Sequence, residues 1–153
     1  MLAKKIALGF GIAIVFPMMI HYGVSTFSAQ PKWDNYQVEN YYEQHQRATP
    51  EEQKKLEAEK NQLAKQRKEA DKRFAKHLFF VAVPLGILAI IVGAFLSIQA
   101  TGTGLMFGGI FSVTDGYYHY WLALPDPLKF GSMLIAFIVL LLIGYKKLEI
   151  NKT

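Results

Sequence analysis

The chain has 153 residues, enough for one domain; 52% of them are hydrophobic, and the formal net charge is +5. It contains no cysteine, which excludes disulfides, thiolate metal sites and cysteine nucleophiles. The basic excess lies beside hydrophobic segments, where Lys and Arg normally face phospholipid headgroups, so nucleic acid is not an expected partner.

Charged residues are segregated along the chain. Residues 28 to 76 are densely charged, whereas the 37 residues from Leu78 to Thr114 contain no Asp, Glu, Lys or Arg. A single bilayer crossing needs about 20 apolar residues, so this run is long enough for more than one. We predict an all-α integral membrane helical bundle with four transmembrane helices. The layout looks like that of small multi-pass bacterial proteins of the cell (inner) membrane, so the lipid bilayer is the first expected partner.

The first predicted span covers roughly residues 6–27 of an N-terminal segment, 1–27. Lys4 and Lys5 form a basic start of the kind seen in signal peptides. The apolar stretch that follows is longer than the roughly 7–15 residues of a signal-peptide core. We therefore expect a retained transmembrane helix, with a kink at Pro17.

An extramembrane segment, residues 28–77, is predicted to hold an irregular loop and a long charged helix. Thr49 suits the N-cap of that helix, Pro50 its first position, and Glu52 completes the spacing of a capping box. No proline or glycine interrupts residues 51–83. The charged helix is therefore predicted to extend directly from the second span.

The membrane domain, residues 78–153, is predicted to hold the second, third and fourth spans. These cover roughly residues 78–100, 103–124 and 128–145. The third is the least hydrophobic, and the linker before it, residues 98–103, is short and uncharged. A re-entrant third segment is therefore the alternative to a full crossing.

The two ends of the chain give one indication of topology, and the middle gives another. Lys4 and Lys5 at the start and Lys146 and Lys147 at the end favour cytoplasmic termini, which four spans satisfy. Eleven Lys and Arg in residues 28–76 favour the opposite orientation. We expect both termini to be cytoplasmic, because the first helix often sets orientation.

Two stripes of small residues recur at four-residue spacing, which places the members of each on one helix face. Small residues let helix backbones approach closely, and such packing drives helix association in lipid. The stripes are Gly104, Gly108, Ser112 and Gly116 in the third span, and Ala89, Gly93 and Ser97 in the second. Packing within the chain is the default interpretation, and packing against another subunit is the alternative.

Asp115 is the most informative single residue, because a carboxylate near the middle of a span is costly unless it is paired, protonated or hydrated. His119 lies one turn further along the same face. In a four-span bundle the first and third helices run parallel, which would bring His21 to a similar depth. We predict an intramembrane polar cluster of Asp115, His119 and His21, acting as a hydrogen-bond clasp. The alternatives are a hydrated path for protons or ions and a metal or haem ligand set, but no ligand spacing supports the latter. We expect no metal and no cofactor.

Aromatic residues are concentrated near predicted membrane boundaries, where their amphipathic rings anchor at headgroups. The predicted interfacial aromatics are Trp33, Tyr117, Tyr118, Tyr120 and Trp121. A quinone or lipid pocket is the alternative for Tyr117 to Trp121. For Trp33 the alternative is a loop that packs on its own protein.

Sequence motifs for catalysis are missing. There is no glycine-rich phosphate loop, no HExxH and no G-x-S-x-G elbow, so we do not expect an enzyme. The favoured hypothesis is a non-catalytic membrane protein that acts through assembly, as a homo-oligomer or as an accessory subunit with another membrane protein. One alternative is an oligomeric ion or proton channel lined by Asp115 and His119. Another is a haem- or quinone-associated redox subunit that uses His21 and His119.

Overall fold

The computed structural model describes residues 2–150, except for the side chains of Trp33 and of residues 146–150. Within that range every regular element is helical, which confirms the all-α class. The α-helices are α1 (Leu2–Phe27), α2 (Tyr41–Arg47), α3 (Pro50–Phe95), α4 (Gln99–Tyr120) and α5 (Asp126–Ile150), with a 3-10 turn at Trp33–Tyr36 between the first two.

Three of these helices are long and apolar enough to cross a membrane, which supports the membrane assignment. They are α1, α3 and the Asp126–Tyr145 part of α5. The 22-residue helix α4 is not among them. Its glycines, threonines and Asp115 replace the long aliphatic side chains that a lipid-facing helix carries.

Helix α3 joins the charged part of the chain to the apolar part without a break over 46 residues. At its start, the carboxylate of Glu52 accepts hydrogen bonds from the backbone N–H and the hydroxyl of Thr49, each at 2.8 Å. Phe74 is the first buried residue along α3. We call residues 50–73 the arm; at 1.5 Å per residue it is about 36 Å long.

Helix α4 lies between α1 and α3 and packs closely on both. It runs antiparallel to α3, since Gly102 faces Gly93 and Gly109 faces Gly86. It runs parallel to α1, since Gly104 faces Gly9 near the start of both helices. The arm therefore projects from the end of the bundle opposite to the N-terminus.

Two buried clusters hold the arm end of this bundle together. One joins Ile20 and Val24 of α1 to Phe74, Leu78 and Ala82 of α3. The other joins α3 to the end of α4 and the turn after it, through Ala75, Phe79, Val83, Tyr120 and Leu124. Apolar packing thus continues to the base of the arm.

The connection between α3 and α4 lies earlier in the chain than predicted. Helix α3 ends at Phe95 rather than near residue 100, and α4 begins at Gln99 rather than near residue 103. Ser97 is consequently an exposed turn residue and not part of a packing stripe. The turn carries no charge and no proline, so neither hydropathy nor a helix breaker marks it in the sequence.

Helix α5 packs only loosely on the rest of the chain. It contacts α3, but none of its residues from 126 to 145 is buried. Polar contacts join its start to the end of α4 and the turn that follows, where the Tyr117 hydroxyl donates to Ser132 and the Lys129 ammonium lies 5.0 Å from the centre of the Trp121 ring.

Candidate functional site: a histidine–aspartate cluster at the base of the arm

The structure brings Asp115, His21 and His119 into contact. Oδ2 of Asp115 lies 2.9 Å from Nδ1 of His21, which comes from a different helix. Nδ1 of His119 lies 3.3 Å from Oδ1 of Asp115 and 3.1 Å from its backbone oxygen. A carbonyl oxygen only accepts hydrogen bonds, so the Nδ1–H of His119 donates to the backbone oxygen of Asp115. The cluster ties α1 to α4.

Aromatic rings pack around this cluster on the side of the arm. The ring of Phe74 lies edge-on to His21 and to His119, with centroid distances of 5.6 Å and 6.4 Å. The two imidazole rings are 5.5 Å apart. Each of the three polar side chains keeps between 21% and 29% of its surface exposed, so the cluster is only partly desolvated.

The sequence predicted this cluster near the middle of a span. In the structure it lies near the arm end of the bundle. Asp115 is only five residues from the end of α4 at Tyr120. It shares its level with Phe74, where α3 passes from charged to apolar sequence. The shift of α4 toward the N-terminus by about one turn causes this difference. A carboxylate near the end of a helix does not meet the full cost of one at a bilayer centre.

A cleft of about 960 Å³ lies between the base of the arm and the end of α4. Arg67 and Asp71 line it from the arm, and Tyr118, His119 and Trp121 line it from the bundle. The Arg67 guanidinium Nε is 3.6 Å from an Asp71 carboxylate oxygen. His119 is the member of the cluster that lines this cleft.

Toward the other end of the bundle, the seam between α1 and α4 is apolar. In residues 9–20 and 104–114, only Ser112 and Thr114 carry polar side chains. Ser112 is buried and its hydroxyl donates to the backbone oxygen of Gly108 at 2.8 Å, and Thr114 is exposed. The polar cluster has no continuation along this seam within one chain.

The small residues predicted as one stripe on α4 serve two neighbours. Gly104 and Gly108 face α1, where a Cβ on Gly104 would lie 2.5 Å from the Gly9 oxygen. Gly116 faces α3, where a Cβ would lie 3.2 Å from Cγ2 of Val83. Ala89 and Gly93 of the other stripe are buried in α3.

Sequence reasoning missed a second row of glycines on α4. Gly102 and Gly109 contact Gly93 and Gly86 of α3 backbone to backbone. The signal was a seven-residue spacing, shared by glycines 102, 109 and 116 on α4 and by 86 and 93 on α3. Two such rows on different faces allow α4 to pack closely on two helices at once.

The predicted interfacial aromatics fall into two groups. Tyr118 is 81% exposed and Trp121 is 42% exposed, so both face outward. Tyr120 is buried and packs on Phe79 with a centroid distance of 5.6 Å, so it is a core residue and not part of an outer belt. Tyr117 is half-buried against Phe79. The predicted role of Trp33 rests on a side chain outside the described part of the structure.

Across residues 2–150, the described side chains include no group of three or more His, Cys, Asp and Glu residues that could hold a metal ion. In the histidine–aspartate cluster, Nδ1 of His21 and Nδ1 of His119 both face the Asp115 carboxylate. These possible ligand atoms are therefore directed at one another and not at a common point. No protein-family model, curated protein or solved structure matches this chain.

Proposed function

We propose that this chain is a non-catalytic membrane protein that acts by assembling with another membrane protein or with itself. The observation that carries the proposal is α5, an apolar helix of spanning length with no buried residue from 126 to 145. In lipid, helices associate through close packing, and α5 makes little of it within its own chain. A partner helix would supply that packing.

The arm supports the same function from outside the bilayer. Residues 51–76 hold nine Lys and Arg and six Asp and Glu, a mixed charge that suits a solvated helix offering a recognition surface. The preceding segment folds back on it, with Lys60 Nζ 4.2 Å from the centre of the Tyr41 ring and a side chain of Gln53 donating to the His45 oxygen at 3.1 Å. The arm is therefore a braced projection.

We further propose that α4 crosses the bilayer as a fourth span, with both termini cytoplasmic and the arm on the opposite side. The parallel packing of α4 on α1 and its antiparallel packing on α3 support a full crossing. Lys4 and Lys5 support the orientation of the termini, whereas Lys72, Arg73 and Lys76 at the base of the arm favour the reverse.

Photo-crosslinking in membranes tests the assembly proposal. A photoreactive residue replaces Phe137 of α5, which is 58% exposed, or Val15 of α1, which is 62% exposed and serves as the matched control. We expect a discrete protein adduct from position 137 and only lipid adducts from position 15. Lipid adducts alone at both positions, with a lone monomer in native mass spectrometry, would contradict assembly through α5.

A proton or ion path through the cluster is the second candidate function. The accessible, hydrogen-bonded Asp115 favours it, while the apolar α1/α4 seam requires that any continuation be formed between subunits. Proton flux into liposomes, measured for the wild type and Asp115→Asn, separates the two functions. A flux that Asp115→Asn abolishes would support the path, and an absence of flux in wild-type liposomes would remove it.

A further inference from the structure

An open groove of about 450 Å³ lies along the outer side of the α1/α4 contact, at the end of the bundle away from the arm. Gly9 and Gly104 line it without contributing side chains, and Phe10, Phe107 and Phe111 supply aromatic walls. The walls are exposed, with 68% of Phe10 and 51% of Phe107 accessible, so the groove opens outward. Helix α1 is long and apolar enough to span a membrane, and in that position the groove would open to the hydrocarbon of the bilayer.

One end of this groove is polar and basic. Lys5, Gln99 and Thr103 line that end, and all three are exposed. No Asp or Glu occurs in residues 2–27 or 78–114, and Asp115, the acidic residue of α4, lies beside His21 at the opposite end of the bundle. An apolar groove that ends in an ammonium and two polar side chains matches an amphiphile with an anionic head.

We propose that this groove binds one anionic phospholipid, with an acyl chain along Gly9 and Gly104 and the headgroup phosphate at Lys5. Gln99 and Thr103 hydrogen-bond to the headgroup region. The site is separate from the histidine–aspartate cluster and does not depend on the assembly proposed above.

Charge favours a lipid over a second copy of the chain in the same groove. A copy packed α1 against α1 in parallel would bring a second Lys4 and Lys5 to the same end, and like charges at close range repel. An anionic headgroup at that end is attracted instead.

Native mass spectrometry of the full, delipidated chain in detergent tests this site. The protein is titrated with dioleoyl phosphatidylglycerol and, separately, with dioleoyl phosphatidylcholine, which has the same acyl chains. We expect one phosphatidylglycerol to bind with clear preference. Lys5→Gln should weaken that binding about five-fold, the effect of one basic residue near an anionic headgroup.

The adjacent lysine gives a matched control. Lys4→Gln makes the same change in charge one residue away but does not line the groove, so it should leave the preference nearly unchanged. Equal effects of the two substitutions would indicate general surface charge and overturn the site. Equal binding of the two lipids, or a protein dimer in place of the lipid adduct, would also overturn it.

A second pair of variants tests the acyl-chain part. Thr103→Phe fills the groove from an exposed position, and Thr114→Phe adds the same bulk to an exposed position outside it. We expect the first to reduce the lipid adduct and the second to leave it intact. Retained binding in Thr103→Phe would show that the lipid lies elsewhere.

Discussion

Asp115 is hydrogen-bonded to histidines on two different helices, which makes it the polar link between α1 and α4. Both oxygens of its carboxylate have a histidine nearby, at 2.9 Å and 3.3 Å. Removing one partner would leave the others partly buried and without their hydrogen bond. The cost of a single substitution therefore exceeds the interaction free energy of the pair. Only a comparison of single and double variants isolates the interaction.

A double-mutant cycle between His21→Ala and Asp115→Ala should give a coupling free energy of about 0.6 kcal/mol, the average for hydrogen bonds between membrane helices. The free energy of unfolding would be measured in mixed micelles. The pair Asp126 and Lys129 also lies at 2.9 Å, but within one helix and with an exposed carboxylate, so it is the control and should couple more weakly. A coupling no larger than that of the control would show that the cluster does not stabilise the bundle.

Glu52 is the residue at which pH should act on the arm. The hydrogen bonds from the backbone and side chain of Thr49 favour the ionised carboxylate and lower the pKa of Glu52. A lowered pKa contributes stability that is fully present above the pKa of the unfolded chain. That stability is lost as the pH falls through the lowered pKa of the folded state. The first turn of the arm should therefore fray in acid.

Thr49→Ala should move the pKa of Glu52 upward, toward its ordinary value, because the side-chain hydrogen bond is lost. NMR titration of labelled glutamate would measure this. Ser97→Ala removes a hydroxyl at the opposite end of the bundle and should leave the titration of Glu52 unaltered. An unchanged Glu52 titration in Thr49→Ala would rule out the hydrogen bond from the Thr49 side chain in solution.

At the scale of the element, α4 depends on packing more than on hydropathy. Its backbone touches those of two neighbouring helices at glycines, so a single added methyl group has nowhere to go. A Cβ on Gly109 would lie 2.4 Å from the backbone oxygen of Gly86 and 2.8 Å from Cγ1 of Ile90. The neighbouring backbone cannot rotate away as a side chain would.

Gly109→Ala should therefore lower the free energy of unfolding by about 1–3 kcal/mol, the usual range for overpacking. Gly131→Ala on α5 is the matched control, because nothing lies within 4 Å of its added Cβ. That control should be neutral or slightly stabilising, since alanine favours helix more than glycine does. The measurement is again unfolding in mixed micelles, and equal effects at both positions would contradict the close packing of α4 on α3.

How far the elements could be predicted depended on local signals. Thr49, Glu52 and the absence of breakers in residues 51–83 are local, and they predicted the start and continuity of α3. The turn between α3 and α4 has no such signal, so its position was wrong by about one turn. The glycine contacts on α4 depend on which helices become its neighbours, and a spacing rule on one helix cannot supply that.

At the scale of the whole molecule, topology decides what each end of the bundle meets. Asn35 lies at the arm end and Ser97 at the other, and both are exposed. The chain has no cysteine, so single-cysteine variants at these positions report without background.

With cytoplasmic termini, Asn35→Cys should react with a membrane-impermeant thiol reagent in intact cells, whereas Ser97→Cys should react only after lysis. The reverse pattern would show that the orientation is set by Lys72, Arg73 and Lys76 at the base of the arm, and not by Lys4 and Lys5. Labelling of both in intact cells would exclude a full crossing by α3.

The sequence was enough to predict which residues form the candidate site, but not where along the bundle they lie. The first and third predicted spans, which are α1 and α4 in the structure, were expected to run parallel. That expectation was enough to bring His21 to the level of Asp115. Its depth depends on where α4 begins, which the sequence does not mark. The loose packing of α5 was not predictable either, because an apolar helix that faces lipid and one that faces a neighbour have the same composition.

The unbroken course of α3 also has a mechanical consequence. A helix of 46 residues couples its two halves like a lever, with the bundle as its mounting and Thr49 near its free tip. Because the arm is about 36 Å long, a tilt of the arm by about 10° at its base would displace that tip by about 6 Å. Small rearrangements of packing among α1, α3 and α4 would thus move the tip of the arm by about the length of a side chain.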